Sequence, residues 1–85
     1  MKVKVLYFAS VREKVGKDAE EIDLPAGTAT VAALRSHLRG RGGSYGDAFA
    51  EKALLRAAVN QDMVQPSAAV KAGDEVAFFP PVTGG

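Results

Sequence analysis

The sequence has 85 residues and a mass of 8.9 kDa, which leaves room for one small domain. Hydrophobic residues make up 47% of it and charged residues 25%, a globular composition that argues against a disordered chain. Eleven basic and ten acidic residues give a formal charge of +1, without the basic excess typical of nucleic-acid binding. Cysteine is absent and histidine occurs once, which excludes disulfides, thiolate metal sites and a His-rich metal site. We expect neither a bound metal nor a nucleic-acid partner.

The apolar segments of the sequence are short. None approaches the ~20 apolar residues of a membrane span, and the apolar run near the N-terminus is too short and too alternating for a signal peptide. We therefore expect no membrane association and a cytoplasmic location. A chain this short uses most of its apolar residues in one core, so chemistry is expected at an edge, a loop or a terminus, or is completed by a partner.

The first part of the chain predicts two strands joined by a helical turn. Residues 2–8 alternate and then become apolar, which predicts a strand at the centre of its sheet. Residues 11–15 predict a helical turn that Ser10 caps and Gly16 ends in a left-handed conformation. Residues 19–24 predict a second strand whose acidic side chains point into solvent. Those acids are Glu20, Glu21 and Asp23.

A longer helix follows and ends at Arg39. Either Thr28 or Thr30 is a suitable N-cap, and one apolar stripe at helical spacing faces the core. That stripe consists of Val31, Leu34 and Leu38. Residues 40–46 are rich in glycine and have the composition of a mobile loop.

The last part of the chain predicts a further short helix and three strands. Asp47 can cap a helix over residues 48–54. The strands are predicted over residues 56–60, 63–65 and 75–79, with a turn at residues 60–62.

The order of these elements predicts an α+β fold with a mixed sheet. The first and last strands are the most apolar, so we expect them side by side and parallel at the centre, with one main helix packed on one face. This is the β-grasp arrangement seen in ubiquitin. The domain is predicted over residues 1–79, followed by a flexible C-terminal tail over residues 80–85.

The tail has the sequence PPVTGG. Two adjacent prolines favour a stiff, extended start, and six residues at ~3.1–3.5 Å each reach roughly 20 Å. The last two positions have no side chains, so a bare backbone can pass through a narrow channel. The pattern predicts that the terminal carboxylate of Gly85 is the reacting group, and the alternative is an inert terminus.

Two groups of side chains could bind a partner. If Val76 and Phe78 point into the core, Phe79 points outward beside the tail. It would then form a docking surface with Met63, and Arg12 would add a polar contact at its rim. The alternative is that Phe79 packs beneath the glycine-rich loop.

A basic group lies at the end of the long helix. Arg35, Arg39 and Arg41 are interpreted as a solvated helix end that favours its own dipole, and a contact with an acidic partner is the alternative. His37 lies beside the apolar stripe and is interpreted as a boundary residue rather than a catalytic group.

Several segments resemble one known family. Residues 74–85, with the sequence DEVAFFPPVTGG, closely resemble the ending of the small, sulfur-carrying subunits of molybdopterin synthase. Residues 3–9, 11–13 and 57–61 are similar to the same family, so the resemblance spans nearly the whole chain. The C-terminal match is the specific one. The fold of that family is β-grasp.

The resemblance implies a mechanism. A ubiquitin-activating-type enzyme uses ATP to adenylate Gly85, and a sulfur donor protein converts the adenylate to a thiocarboxylate. The tail then enters the large synthase subunit, where sulfur attacks cyclic pyranopterin monophosphate to form the molybdopterin dithiolene. The inserted tail residues are Pro80, Pro81, Val82, Thr83 and Gly84.

The resemblance also implies an assembly. The chain would be the sulfur-donating subunit of a sulfurtransferase, a heterotetramer of two small and two large subunits, with no complete active site of its own and no permanently bound cofactor. The alternatives are a sulfur carrier for thiamine synthesis or tRNA thiolation, a ubiquitin-like protein modifier, and a binding module with an inert tail.

Overall fold

The computed structural model describes residues 1–25 and 27–81. Within those ranges, strands and helices alternate along the chain in an α+β order. They are β1 (Lys2–Tyr7), α1 (Ala9–Val15), β2 (Ala19–Asp23), α2 (Val31–Arg39), α3 (Gly43–Ala48), β3 (Arg56–Val59), β4 (Asp62–Val64) and β5 (Glu75–Phe79).

The strands form one mixed sheet in the order β2-β1-β5-β3-β4. The first and last strands, β1 and β5, are parallel neighbours near its centre, and the remaining neighbours are antiparallel. The predicted β-grasp arrangement is confirmed. The apolar ends of β1 and β5 favour a central position, because strands that are largely covered carry more continuous apolar sequence than strands with a solvated face.

The core lies between α2 and one face of the sheet. The predicted stripe of α2 is buried, with Val31 3% exposed and both Leu34 and Leu38 0% exposed. On the sheet side, the rings of Phe49 and Phe78 pack edge to face with centroids 5.1 Å apart, an arrangement favoured by the quadrupoles of aromatic rings. Thr30 is the N-cap, since its hydroxyl oxygen accepts a hydrogen bond of 3.1 Å from the backbone N–H of Ala33.

The first helix begins earlier than its sequence predicts. Ser10 lies inside α1 rather than capping it, and Phe8 is the N-cap, with no side-chain hydrogen bond. The backbone carbonyl of Phe8 accepts from the N–H groups of Val11 and Arg12, so the helix starts directly from the end of β1. Gly16 ends it with φ 78°, the predicted left-handed conformation.

The glycine-rich segment is the largest departure from the sequence prediction. Residues 43–46, expected in a loop, lie in α3, and the helix expected over residues 48–54 is absent because Ala48 ends α3 and Phe49 is its C-cap. Phe49 is 0% exposed. Burial of this ring holds the segment before it against the core, which loop-like composition alone does not reveal.

Within residues 1–25 and 27–81, no helix has the length and apolar character needed to cross a membrane.

Candidate functional site at the end of the last strand

The last strand leads directly into the predicted tail. Val76 is 0% exposed and Phe78 1% exposed, so both point into the core as predicted. Phe79 therefore points to the opposite face of the sheet, where it is half-buried. Pro80 and Pro81 follow outside the strand, consistent with their missing backbone donors.

Four residues of the predicted site lie outside the described residues. They are Val82, Thr83, Gly84 and Gly85.

An apolar row crosses the sheet on the face opposite α2. Leu6 pairs with Ala77, Ala77 pairs with Ala58, and Ala58 pairs with Met63. Phe79 lies on the same face, two residues beyond Ala77. We call these five residues the outer face. Met63 is 60% exposed, so part of this apolar surface is open to solvent.

The outer face has aromatic and charged neighbours at the end of β5. Phe8 follows β1 and is 46% exposed, and its backbone N–H donates to the carbonyl of Phe78. Arg56 is exposed and lies directly opposite Phe79 in the register of β3 and β5. An apolar centre with a charged margin is typical of surfaces that bind proteins.

Arg12 lies apart from these residues in the chain, on α1. Its side chain is 54% exposed, and its guanidinium nitrogen is 3.7 Å from the carboxylate of Asp18. The structure thus brings Phe79 and Met63 onto one face and places Arg12 on a neighbouring helix, with its own acidic partner.

The sequence prediction missed a charged cluster on the core side of β2. Glu20 was expected to point into solvent with its neighbouring acids, but its side chain is only 14% exposed. Its carboxylate accepts hydrogen bonds from four side chains. They are Tyr7 at 2.7 Å, Lys17 at 2.9 Å, Arg41 at 2.6 Å and Tyr45 at 3.1 Å. We call these five residues the Glu20 cluster.

Electrostatics in the Glu20 cluster favour the ionised carboxylate. Burial alone would raise the pKa of Glu20, but the hydrogen bonds that it accepts outweigh burial and lower its pKa to about 2. Burial and the hydrogen bond to Glu20 raise the pKa of Tyr7 far above its ordinary value. Alternation could have identified Glu20, because it shares its strand phase with Ile22, which is 3% exposed.

The three arginines at the end of α2 do not act as one group. Arg35 donates to the backbone carbonyls of residues 49, 50 and 53. Arg39 forms an ion pair of 3.0 Å with Glu51, and Arg41 belongs to the Glu20 cluster. Interpretation of these residues as a freely solvated helix end is therefore wrong. His37 is half-buried, as expected for a boundary residue.

In the described ranges, no three His, Cys, Asp or Glu residues form a group that could hold a metal ion. The described residues contribute the partly exposed apolar outer face and a strand that leads into the tail.

Comparison with known proteins identifies the family. The model of the ThiS family matches residues 5–85. The chain belongs to the ThiS family. It is 51% identical over 85 residues to a molybdopterin synthase sulfur carrier subunit of Escherichia coli (strain K12), covering 98% of this chain and 99% of that protein.

Two further proteins are similar to this chain, one in sequence and one in fold. A molybdopterin synthase sulfur carrier subunit of Haemophilus influenzae is 48% identical, covering 98% of this chain and 99% of that protein. The crystal structure of H. volcanii small archaeal modifier protein 1 superposes with a TM-score of 0.75 and 26% identity, covering 95% of this chain and 98% of that one.

Proposed function

We propose that this ThiS-family chain is the sulfur carrier subunit of molybdopterin synthase in molybdenum cofactor biosynthesis. The observation that carries the proposal is the junction at the end of β5. There, a buried strand ends beside an apolar face and continues through Pro80 and Pro81 into the sequence VTGG. Near-full-length similarity to proteins named as such carriers supports it.

The first step would activate the terminal carboxylate of Gly85. A carboxylate is a poor electrophile because its leaving group is poor. A ubiquitin-activating-type enzyme would join Gly85 to the α-phosphate of ATP, releasing pyrophosphate and forming an acyl-adenylate. A sulfur donor protein would then deliver sulfur at the oxidation level of sulfide to the acyl carbon. The bond from that carbon to the phosphate oxygen would break, AMP would leave, and a thiocarboxylate would remain.

The second step would transfer sulfur inside the large subunit. The chain has no cysteine, so its nucleophilic sulfur is the one loaded at Gly85. The slim tail over residues 80–85 would carry that sulfur to cyclic pyranopterin monophosphate, and the large subunit would supply the acid and base groups. A dithiolene contains two sulfurs, so two loaded carriers would serve each product in a heterotetramer of two small and two large subunits.

The outer face would dock both the adenylating enzyme and the large subunit. Phe79 and Met63 would provide its apolar contacts, since exposed aromatic and methionine side chains suit such surfaces. Arg12 would contribute a polar contact from α1. Phe79 lies immediately before Pro80, so contacts on the outer face would hold a partner close to the start of the tail.

Intact-mass measurement tests the proposal. The full chain would be incubated with a ubiquitin-activating-type enzyme, ATP and a sulfur donor, then mixed with a large synthase subunit and cyclic pyranopterin monophosphate. We expect replacement of one oxygen by sulfur, followed by formation of the dithiolene product. An unmodified mass, or a loaded chain that sulfurates no pterin, would contradict the assignment.

A protein modifier is the second candidate, favoured by the similarity in fold to a small archaeal modifier protein. In that case Gly85 would be joined to lysines of other proteins, and isopeptide-linked adducts would accumulate in place of the thiocarboxylate.

A further inference from the structure

A groove lies on the side of the sheet opposite the outer face, between α2 and strands β3 and β4. Its volume is about 370 Å³, within the range of sites that bind organic groups. Its floor is apolar and combines side chains from the helix, the sheet and the segment before β3. They are Val31, Leu55, Ala57, Val64 and Phe78.

Positive charge predominates around this groove. Three arginines and one glutamate line it. One of the arginines, Arg56, is exposed and also borders the outer face, so Arg35 and Arg39 against Glu51 leave an excess of one positive charge on the groove side. Arg35 is held by backbone carbonyls rather than by an acid, so its charge is not neutralised. Burial and the nearby charge of Arg39 lower the pKa of Arg35, as expected where two cations share a partly buried site.

One of these arginines already binds a carboxylate. The carboxylate oxygen of Glu51 is 3.0 Å from the guanidinium of Arg39, with the Glu51 side chain 85% exposed. An ion pair as exposed as this is weak. A carboxylate from another molecule could therefore take the place of Glu51 while an apolar side chain next to it covers the floor.

We propose that this groove docks an acidic polypeptide segment of a protein that takes up the C-terminus of this chain. One aliphatic or aromatic side chain of the segment would enter the floor, and a carboxylate would pair with Arg39. Charge complementarity argues for this occupant. So does position, because Arg56 lines the groove and pairs with Phe79 in the register of β3 and β5, so one partner could contact the groove and the outer face together just before Pro80.

The proposal rests on the proposed function for the identity of the partner, but binding can be tested without sulfur chemistry. The ¹⁵N-labelled full chain would be titrated with the peptide acetyl-Glu-Asp-Leu-Glu-Asp-amide. The control peptide acetyl-Gln-Asn-Leu-Gln-Asn-amide has the same apolar residue without the charge. We expect amide shifts from the acidic peptide in α2, around Leu55 and around Val64, and binding by the neutral peptide about tenfold weaker or weaker still.

Two matched variants distinguish binding in the groove from non-specific electrostatic attraction. Arg39→Gln removes the proposed carboxylate partner and should weaken binding about fivefold, whereas Glu51→Gln frees Arg39 from its own carboxylate and should strengthen binding about threefold. Both residues are partly or fully exposed, so both variants should keep the amide spectrum of the folded chain. Equal binding by both variants, equal binding of both peptides, or shifts confined to the outer face would overturn the proposal.

The two proposals fail separately. If the peptide does not bind while the chain still carries sulfur, only the groove is wrong. If the peptide binds as expected while Gly85 accepts no sulfur, the docking site stands and the assignment of its partner falls.

Discussion

The outer face and the Glu20 cluster use the sheet in opposite ways. The outer face keeps apolar side chains partly in water, with Met63 60% exposed. The Glu20 cluster keeps a charge out of water and satisfies it with four hydrogen bonds. Exposed apolar atoms add little to stability, so we infer that the outer face serves binding. A largely enclosed carboxylate that accepts four side-chain hydrogen bonds stabilises the fold and has little capacity left to bind a substrate.

The largest expected effect concerns the tail that follows the outer face. Deletion of Gly84 and Gly85, or addition of one residue after Gly85, should abolish sulfur loading, because the carboxylate no longer ends a bare backbone of the right length. Intact mass after incubation with the adenylating enzyme, ATP and sulfur donor measures this. Leu54→Ala, at an exposed position outside the tail and the outer face, is the control and should load normally. Full loading of either altered chain would contradict the assigned role of Gly85.

Replacement of Glu20 should lower the stability of the fold and leave partner binding unchanged. Glu20→Gln should lower the free energy of unfolding by about 1–3 kcal/mol, because charged hydrogen bonds to four side chains are weakened. Urea unfolding at neutral pH measures this. Glu21→Gln, at an exposed position of the same strand, is the matched control. An equal effect of the two substitutions would mean that the Glu20 cluster contributes little.

The same residue predicts a pH dependence. The pKa of Glu20 is lowered in the folded chain from 4.5 to about 2, so folding favours its ionised form. This contribution is present above about pH 4.5 and is lost as the pH falls toward about 2. Unfolding free energies measured across this interval should fall less steeply for Glu20→Gln than for the unaltered chain. An equally steep fall for both proteins would contradict the lowered pKa of Glu20.

Substitutions on the outer face should weaken partner binding and leave the stability of the fold unchanged. Phe79→Ala should fold normally and bind the large subunit and the adenylating enzyme about tenfold more weakly, because an aromatic contact beside the tail is lost. Met63→Ala should have a smaller effect. Leu54→Ala is the control, since Leu54 is 78% exposed and is not part of the outer face. Calorimetric titration measures the affinities. Unchanged binding by Phe79→Ala would mean that the outer face does not dock these partners.

The smallest expected effect is at the N-cap of α2, which lies outside both the outer face and the Glu20 cluster. Thr30→Ala should lower the free energy of unfolding by about 1 kcal/mol through loss of the N-cap of α2. Thr28→Ala should have less effect, because the cap hydrogen bond comes from Thr30. Binding of partners should be unchanged in both variants, and a loss of binding in Thr30→Ala would show that α2 also shapes the docking site.

Much of the fold could be predicted because local patterns and packing agree. The bounds of β5, the burial of Val76 and Phe78, and the outward position of Phe79 follow from alternation at period two. The helix stripe from Val31 to Leu38 follows from spacing at 3.6 residues per turn. The family could be identified because its most specific motif is linear, at the end of the sequence.

The structure of the glycine-rich segment and the hydrogen-bond partners of Glu20 could not be predicted locally. Glycines at positions 40, 42, 43 and 46 favour a loop by composition, yet burial of Phe49 and the hydrogen bond from Tyr45 to Glu20 accompany a helix there. These partners are far apart in sequence, so no local pattern contains them.

The sequence by itself determined the strand and helix periodicities and indicated the chemistry expected of Gly85, because each depends on neighbouring residues. The apolar character of β1 and β5 predicted their pairing, which the structure confirmed. Only the tertiary structure decided that Met63 joins Phe79 on one face, that Glu20 is enclosed, and that Arg39 borders an apolar groove. Those features depend on which distant segments meet, since burial and charge pairing are properties of the assembled fold.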